Sequence, residues 1–457
     1  MVDLVIKNGQ VVFPGEGVRR VHIAVHEGTI AGLCSDNLPV GAAQVIDADG
    51  LWVMPGAIDG HVHCGNFLAY EDDIQKETQS AAIGGVTTIV NYFKGDRSFH
   101  ETVPGWIDTA SQLSTTDYAF HLQLLTNQQL AEVPEYVERY GVTSFKINMV
   151  WRGITQKVFG TDREVDDGFI LAVMEKLVSV SPRLLLLIHC ENVEIRRQRI
   201  AELKGQGEDT LAFLERLSPD FAETESVYRT LYLAHITGAR VFLVHLSAGS
   251  SVDALTDVPW TLAPGQIVAE TCPHYLVLDM NAPAGLKATV SPPIRTAQDS
   301  DRLWDGIARG LITVAGSDTN PRRLEEKMGP DVWSVKPGFG GVGLLLPLMI
   351  SEGYHRRGLP LETIVNTLTK EPAKAYNLYP KKGSLEVGTD ADLVLVDPEL
   401  EKQVTTEMLM DNSDFCIYEG MKIKGWPVLT LSRGVVIARD GQPVVQPGHG
   451  EYLFRQV

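Results

Sequence analysis

The chain has 457 residues, 44% of them hydrophobic and 21% charged, the balance of a soluble globular protein too long for one simple core. Forty basic residues against 58 acidic ones leave a formal net charge of -18, spread without a long acidic tail. A surface of that sign repels phosphate backbones and anionic lipid, which excludes nucleic acid and membranes as expected partners.

The N-terminal stretch MVDLVIKNGQVVF alternates and has no basic segment followed by an apolar one, so it does not read as a signal peptide. Residues 4–12 read as strand, Asn8-Gly9 turn, strand, and short strands follow at 21–25 and 43–46. From about residue 55 the pattern changes. Eight apolar runs of strand length, at 57–63, 86–92, 118–125, 142–148, 184–189, 241–246, 266–272 and 312–317, alternate with helical stretches such as 169–180 and 225–236. The run Leu184-Leu185-Leu186-Leu187-Ile188 is apolar throughout, as strands buried on both faces of a parallel sheet are. Past residue 378, short β runs return at 391–396, 428–431 and 435–438, with an Asp440-Gly441 turn. The pattern predicts an α/β protein: a (β/α)8 TIM barrel over 55–378, and a small β-sandwich built from both termini, 1–54 and 379–457. No GxGxxG follows any strand, so a dinucleotide fold has no support. No apolar run approaches membrane-spanning length. The five scattered cysteines, Cys34, Cys64, Cys190, Cys272 and Cys416, form no CxxC pair, which points to a reducing, cytoplasmic setting.

A barrel gathers function at the C-terminal ends of its strands, and the metal-capable residues fall there. His61 and His63 end the first run, Lys146 lies near the end of the fourth, His189 ends the fifth, His245 lies near the end of the sixth, and Asp318 follows the eighth. Side chains on a strand repeat every second residue, so His61 and His63 face one side and can grip one cation. An isolated HxH is a weak signal; its recurrence with other ligand types at strand ends is what carries weight. Lys146 sits inside the apolar run Ser144-Phe145-Lys146-Ile147-Asn148. A free ammonium has no lone pair for a metal, and a lysine paired with a buried acid is the plain alternative. Asp318, after a strand and Ser317, is either a helix N-cap or a catalytic group.

Eight segments carry a resemblance. They are Pro55-Gly56-Ala57-Ile58-Asp59-Gly60-His61-Val62-His63, Gly84-Gly85-Val86-Thr87-Thr88, Phe145-Lys146, His189-Cys190-Glu191-Asn192, Val244-His245-Leu246-Ser247, Glu270-Thr271-Cys272-Pro273-His274-Tyr275-Leu276, Ser291-Pro292-Pro293-Ile294-Arg295 and Gly316-Ser317-Asp318. In order, and over nearly the whole length, they resemble the cyclic amidohydrolases: hydantoinase, dihydropyrimidinase, allantoinase and dihydroorotase. Hydantoinase is the nearest. Residues 382–393 resemble the segment that returns the family's chain to its sandwich. The resemblance implies two divalent metal ions, zinc first, with manganese, cobalt or nickel as alternatives. It implies that His61, His63, N6-carboxylated Lys146 and Asp318 hold one ion, and Lys146, His189 and His245 the other. It further implies a hydroxide between the ions, with Asp318 as general base and then general acid in opening a small cyclic amide or ureide. A homo-oligomer, tetramer or dimer, is implied as well.

Some positions depart from the family. A family tyrosine five residues after the lysine is replaced by Trp151, whose indole only donates; it reads as an apolar wall of the pocket or as ordinary packing. Ser291 matches a serine that contacts the substrate, and Asn66 after the HVH motif is a further candidate for the pocket. The loop Pro337-Gly338-Phe339-Gly340-Gly341 lacks a family asparagine, and Thr319 replaces the histidine that commonly follows the aspartate. These departures bear on the ring accepted. Cys64-Gly65-Asn66-Phe67-Leu68 holds no arginine, which lowers dihydroorotase among the alternatives and leaves allantoinase above it. Cys190 reads as a buried neutral thiol and His274 as a core histidine. Arg295 would meet an acidic substrate or brace a carboxylate. Glu71, Asp72 and Asp73 read as a solvated helix start, and residues 343–350 as either core or subunit interface. A non-catalytic scaffold of the same fold is the rival from another class; all six ligand positions are filled, which counts against it.

Overall fold

Residues 2–35 and 41–457 are described in the computed structural model of the chain. The first seven strands are β1 (Leu4–Lys7), β2 (Gln10–Phe13), β3 (Gly17–Arg20), β4 (His22–His26), β5 (Thr29–Cys34), β6 (Gln44–Asp47) and β7 (Trp52–Pro55). Although β1 and β2 flank the Asn8-Gly9 turn, they do not pair. β1 lies between β4 and β6, whereas β2 lies between β3 and β7. The expected strand–turn–strand is therefore a corner that hands the chain from one sheet to another. Asn8 takes a left-handed φ of 66°, its N–H donates to His22 Nδ1 at 3.0 Å, and its side chain donates to Asp47 at 2.8 Å. A Cβ on Gly9 would stand 2.5 Å from Val53, so only glycine lets the corner close.

The eight predicted barrel runs all become strands: β8 (Ala57–Val62), β9 (Val86–Phe93), β10 (Asp117–Gln123), β11 (Ser144–Asn148), β12 (Leu185–His189), β13 (Arg240–Leu243), β14 (Ile267–Thr271) and β15 (Val314–Ala315). They stand in one sheet in chain order, parallel from β10 to β15, and make the barrel. β9 and β12 are buried along their whole length, β12 as its unbroken apolar run requires. β15 is shorter than predicted, yet Thr313 and Gly316 beyond its two ends still donate to the carbonyls of Ala269 and Thr271. The predicted helices appear as Asp167–Val180, begun by the Asp166 carboxylate accepting from Phe169 N–H at 2.8 Å, and Asp220–Thr237, ended at left-handed Gly238.

The last strands are β16 (Leu393–Gln403), β17 (Lys422–Ser432), β18 (Val435–Arg439) and β19 (Gln442–Pro443). By contacts the chain divides into two compact units, Met1–Val90 with Thr109–Tyr118 and Gly340–Tyr452, and Asn91–Asp108 with Ala119–Phe339 and Leu453–Val457. In the first unit the termini share a sheet, ordered β19-β18-β17-β16-β7-β2-β3, where β7 pairs antiparallel with β16. A four-stranded sheet, β5-β4-β1-β6, accompanies it. Leu4, Ile6, Val25 and Ile30 pack with Val11, Val53, Leu393, Leu395 and Leu431 in one core. Each such fully buried side chain contributes about 2 kcal/mol. Asp440-Gly441 closes the β18–β19 hairpin as predicted. The stretch 343–350, open in the sequence between core and interface, is buried within this unit.

The same unit buries an ion cluster. Lys382 Nζ lies 2.8 Å from Asp390 and 2.7 Å from Asp392, and also bonds Asp117, which Arg433 meets from another side. Three aspartates so close together resemble a cation site, but the cation is the lysine's own ammonium. Burial works against that charge, yet Asp392, Asp117 and Asp390 hold Lys382 above the ordinary lysine value.

Candidate metal centre

In the first unit, β8 delivers the HVH motif. His61 is fully buried and His63 half-buried, with ring centroids 5.3 Å apart. The Asp59 carboxylate accepts from His61 N–H at 3.0 Å, and Tyr376 packs so closely on Gly60 that a Cβ there would overlap its ring. The chain then turns: Asn66 N–H reaches His63 O at 3.3 Å, and Gly65 N–H donates to Asp73 Oδ2 at 2.8 Å. Asn66 thus stands directly beyond the histidine pair. Asp73 corrects the expectation of a solvated helix start. It is fully buried in helix Tyr70–Ile83, accepts also from Asn412 at 2.7 Å, and clamps the turn after the histidines, while Glu71 and Asp72 remain exposed. Cys64 is buried, which holds its thiol well above the ordinary value.

In the second unit, strand ends bring together Lys146, His189, His245 and Asp318. The rings of His189 and His245 meet edge to face, 4.5 Å between centroids. Lys146 Nζ lies 4.8 Å from the Tyr92 ring. Burial pulls the Lys146 amine down to about 8, although Glu270 and Asp318 nearby favour its charge. His245 and Asp318 both take left-handed backbone conformations, φ 41° and 52°, the kind of strain that persists only where surrounding structure enforces it. Glu270 supplies part of that enforcement: its Oε2 accepts from His245 N–H at 3.0 Å, while its own carbonyl accepts from Leu246 N–H at 2.8 Å. At Asp318 the following N–H, of Thr319, donates back to Ser317 Oγ at 3.0 Å.

Glu191 organises the other imidazole. Its Oε2 lies 2.6 Å from His189 Nε2, accepts from Ser291 Oγ at 2.9 Å, and is 3.3 Å from Arg196; its second oxygen accepts from Ser218. Burial alone would raise Glu191, but Arg196, His189 and Ser218 outweigh it and hold the carboxyl well below its ordinary range. An ionised carboxylate accepts only, so His189 donates from Nε2 and its lone pair stands at Nδ1, the nitrogen open to a cation. Burial also lowers the His189 value, which favours the neutral ring. Sequence reasoning assigned no role to Glu191 or Glu270. The signal available was their position, beside His189 and at the end of the seventh strand.

The substrate candidates lie as follows. Trp151 sits in a short turn, Met149–Trp151, directly after β11, its ring stacked on Phe159 at 4.9 Å and 5.3 Å from Lys94 Nζ. Ser291 is tied to Glu191. The loop that lacks the family asparagine is held by Lys327, whose ammonium donates to the carbonyls of Thr289, Lys336 and Gly338, each at 2.9 Å. Arg295 braces carboxylates: it is buried, 3.6 Å from both Glu215 and Glu223, and donates to Ser247 and to Ser218 O. His274 is buried against Tyr275 and Phe339. Cys190 is an inert thiol, pushed by burial up to about 12.

A barrel whose strand ends carry imidazoles, a carboxylate and a buried amine is the architecture of a metal-dependent hydrolase, and the donors fit divalent ions that take nitrogen and oxygen ligands. The model of the Amidohydrolase family matches residues 161–444, and the chain belongs to that family. Relatives that match it over its whole length include hydantoinases. It is 31% identical to a D-hydantoinase of Ralstonia pickettii over 100% of this chain and 99% of the relative. It is 30% identical to an L-hydantoinase of Paenarthrobacter aurescens with the same coverage. The crystal structure of a dihydropyrimidinase from Brevibacillus agri superposes with a TM-score of 0.90 at 28% identity, covering 100% of this chain and 99% of the other.

Proposed function

We propose that this chain hydrolyses a C–N bond within a five- or six-membered cyclic amide or ureide, in the manner of a hydantoinase or dihydropyrimidinase, releasing an N-carbamoyl or related acid. The observation that carries the reading is the buried Lys146 amine, set among Glu270, Asp318 and the paired His189 and His245 rings, in a chain that aligns end to end with hydantoinases. A neutral amine adds CO2 to give a carbamate and a proton, and burial is what makes that amine available. His61, His63, carboxylated Lys146 and Asp318 would hold one ion, with Lys146, His189 and His245 holding the other. When bound, two divalent ions, zinc first among them, lower the pKa of water and polarise the ring carbonyl. Asp318 takes the proton from the attacking water and returns it to the ring nitrogen as the C–N bond breaks. Glu191 and Glu270 keep His189 and His245 in place. Trp151, Ser291 and Asn66 contact the ring. The catalytic domain spans 55–378 and the sandwich 1–54 with 379–457. The protein works as a homo-oligomer in the cytoplasm.

The test is a panel of hydantoins, dihydrouracil, allantoin and dihydroorotate with metal-loaded protein, beside metal analysis and intact-mass measurement. Turnover of at least one ring, two ions per chain and one added CO2 are expected. No turnover of any ring breaks the substrate class. Absence of both bound metal and turnover returns the scaffold reading.

A further inference from the structure

Lys327 is fully buried at the end of the short helix Leu324–Lys327, in the second unit. An ammonium has three hydrogens to donate, and here they meet three main-chain carbonyls. Thr289 O belongs to one segment, Lys336 O and Gly338 O to another, and each lies 2.9 Å from Nζ. The two segments also bond each other: Gly338 N–H donates to Thr289 O at 3.2 Å. The second segment returns to the helix through Lys336 N–H, which donates to Lys327 O at 2.9 Å.

Both segments lead to residues of the site. Thr289 stands two residues before Ser291, whose Oγ donates to the Glu191 carboxylate that holds His189. Phe339, directly after Gly338, accepts from Asn320 N–H at 2.8 Å, and Asn320 stands two residues after Asp318. One ammonium thus ties the backbone that enters Ser291 to the loop that receives the backbone leaving Asp318. That loop has little stiffness of its own. Gly338 takes a φ of 109°, in the region that favours glycine, and glycine has the most conformational freedom to lose. Burying a charge is costly unless hydrogen bonds satisfy it, and the carbonyl cage does so while fixing three peptide units at once.

We infer that Lys327 is a positioning residue for the substrate: it fixes the main chain at 289–291 and 336–339 so that these two segments receive the ring. The inference rests on the proposed hydrolytic reading. It adds a support for the pocket in the loop that lacks the family asparagine, where a displacement of about 1 Å is enough to cost about a hundredfold.

The test is Lys327→Met, which keeps an unbranched side chain and removes its donors. Metal-loaded wild type and variant are compared with hydantoin and dihydrouracil as probes, by kcat, KM and metal per chain. KM is expected to rise about tenfold or more, with a smaller fall in kcat and two ions retained. A lysine that only supports the fold would lower the denaturation midpoint and leave the KM of the folded enzyme unchanged, which overturns the inference and leaves ring opening intact. Should Lys327→Met fail to fold, hydrogen exchange in the wild type decides. The peptide 334–339 is expected to exchange about tenfold more slowly with a ring bound, and an unchanged rate overturns the inference. Where the wild type binds a ring without opening it, calorimetric Kd takes the place of KM. A Kd weakened about tenfold in Lys327→Met then supports the positioning role and overturns the hydrolytic reading. Neither binding nor turnover by the wild type overturns both.

Discussion

Two buried lysines, one in each compact unit, meet opposite fates. Lys382 lies among three aspartates that outweigh the cost of burial, and its charge is locked in. Lys146 is equally buried, but Glu270 and Asp318 only partly offset that burial, and its amine falls to about 8. The first is a structural cation that closes an ion cluster. The second is an amine that burial draws toward its neutral form. Burial alone does not decide what a lysine does; the number and distance of the carboxylates around it do.

The comparison breaks most visibly at Lys146. Lys146→Ala is expected to lower kcat/KM by about a thousandfold or more, the scale of losing a group that supports charge in the transition state, with the fold intact by circular dichroism. Activity near the wild-type level would return Lys146 to a packing role. Lys382→Met should do the reverse and strike stability. Removing one member of a buried ion cluster costs about 3–5 kcal/mol, read as a lower denaturation midpoint. A midpoint unchanged in Lys382→Met would mean that the aspartates are satisfied without it. Glu191→Gln sharpens the catalytic side: losing the charge that fixes His189 should weaken metal affinity by about 10- to 100-fold, measured by chelator competition.

The smallest expected effect is the pH dependence of the ion cluster. Burial would raise Asp117, but Lys382 and Arg433 hold it below the ordinary carboxylate value. Its contribution to stability is therefore complete above the unfolded aspartate value of about 3.9 and is lost as pH falls through the lower folded value. Asp392, which burial holds high, offsets part of that loss. Lys382 contributes fully below the unfolded lysine value of about 10.4, and its share is lost only as pH rises through the higher folded one. Chemical denaturation of the wild type should accordingly weaken on acidification below about pH 4, with a flatter acid slope in Lys382→Met. Equal slopes would remove Lys382 from the account.

What the amino-acid order determined by itself was everything carried by local periodicity. The eight apolar runs, the helices between them, the β-rich termini and the Asp440-Gly441 hairpin all follow from side-chain spacing, and each appears in the fold. The HVH pair and the lysine in an apolar strand were legible for the same reason, since a polar residue in a buried run stands out. Tertiary structure alone decided which distant groups meet. Asn8-Gly9 turns between sheets instead of closing a hairpin because β1 pairs with β4 and β6 while β2 pairs with β3 and β7. Asp73 leaves the solvent because the turn at Gly65 and Asn412 need its oxygens, and Arg295 is spent on Glu215 and Glu223. The carboxylates of Glu191 and Glu270, and the left-handed backbones at His245 and Asp318, likewise have no local signature. Periodicity reports which face of an element is buried; a hydrogen bond or an ion pair depends on a partner tens or hundreds of residues away, and only the folded chain supplies it.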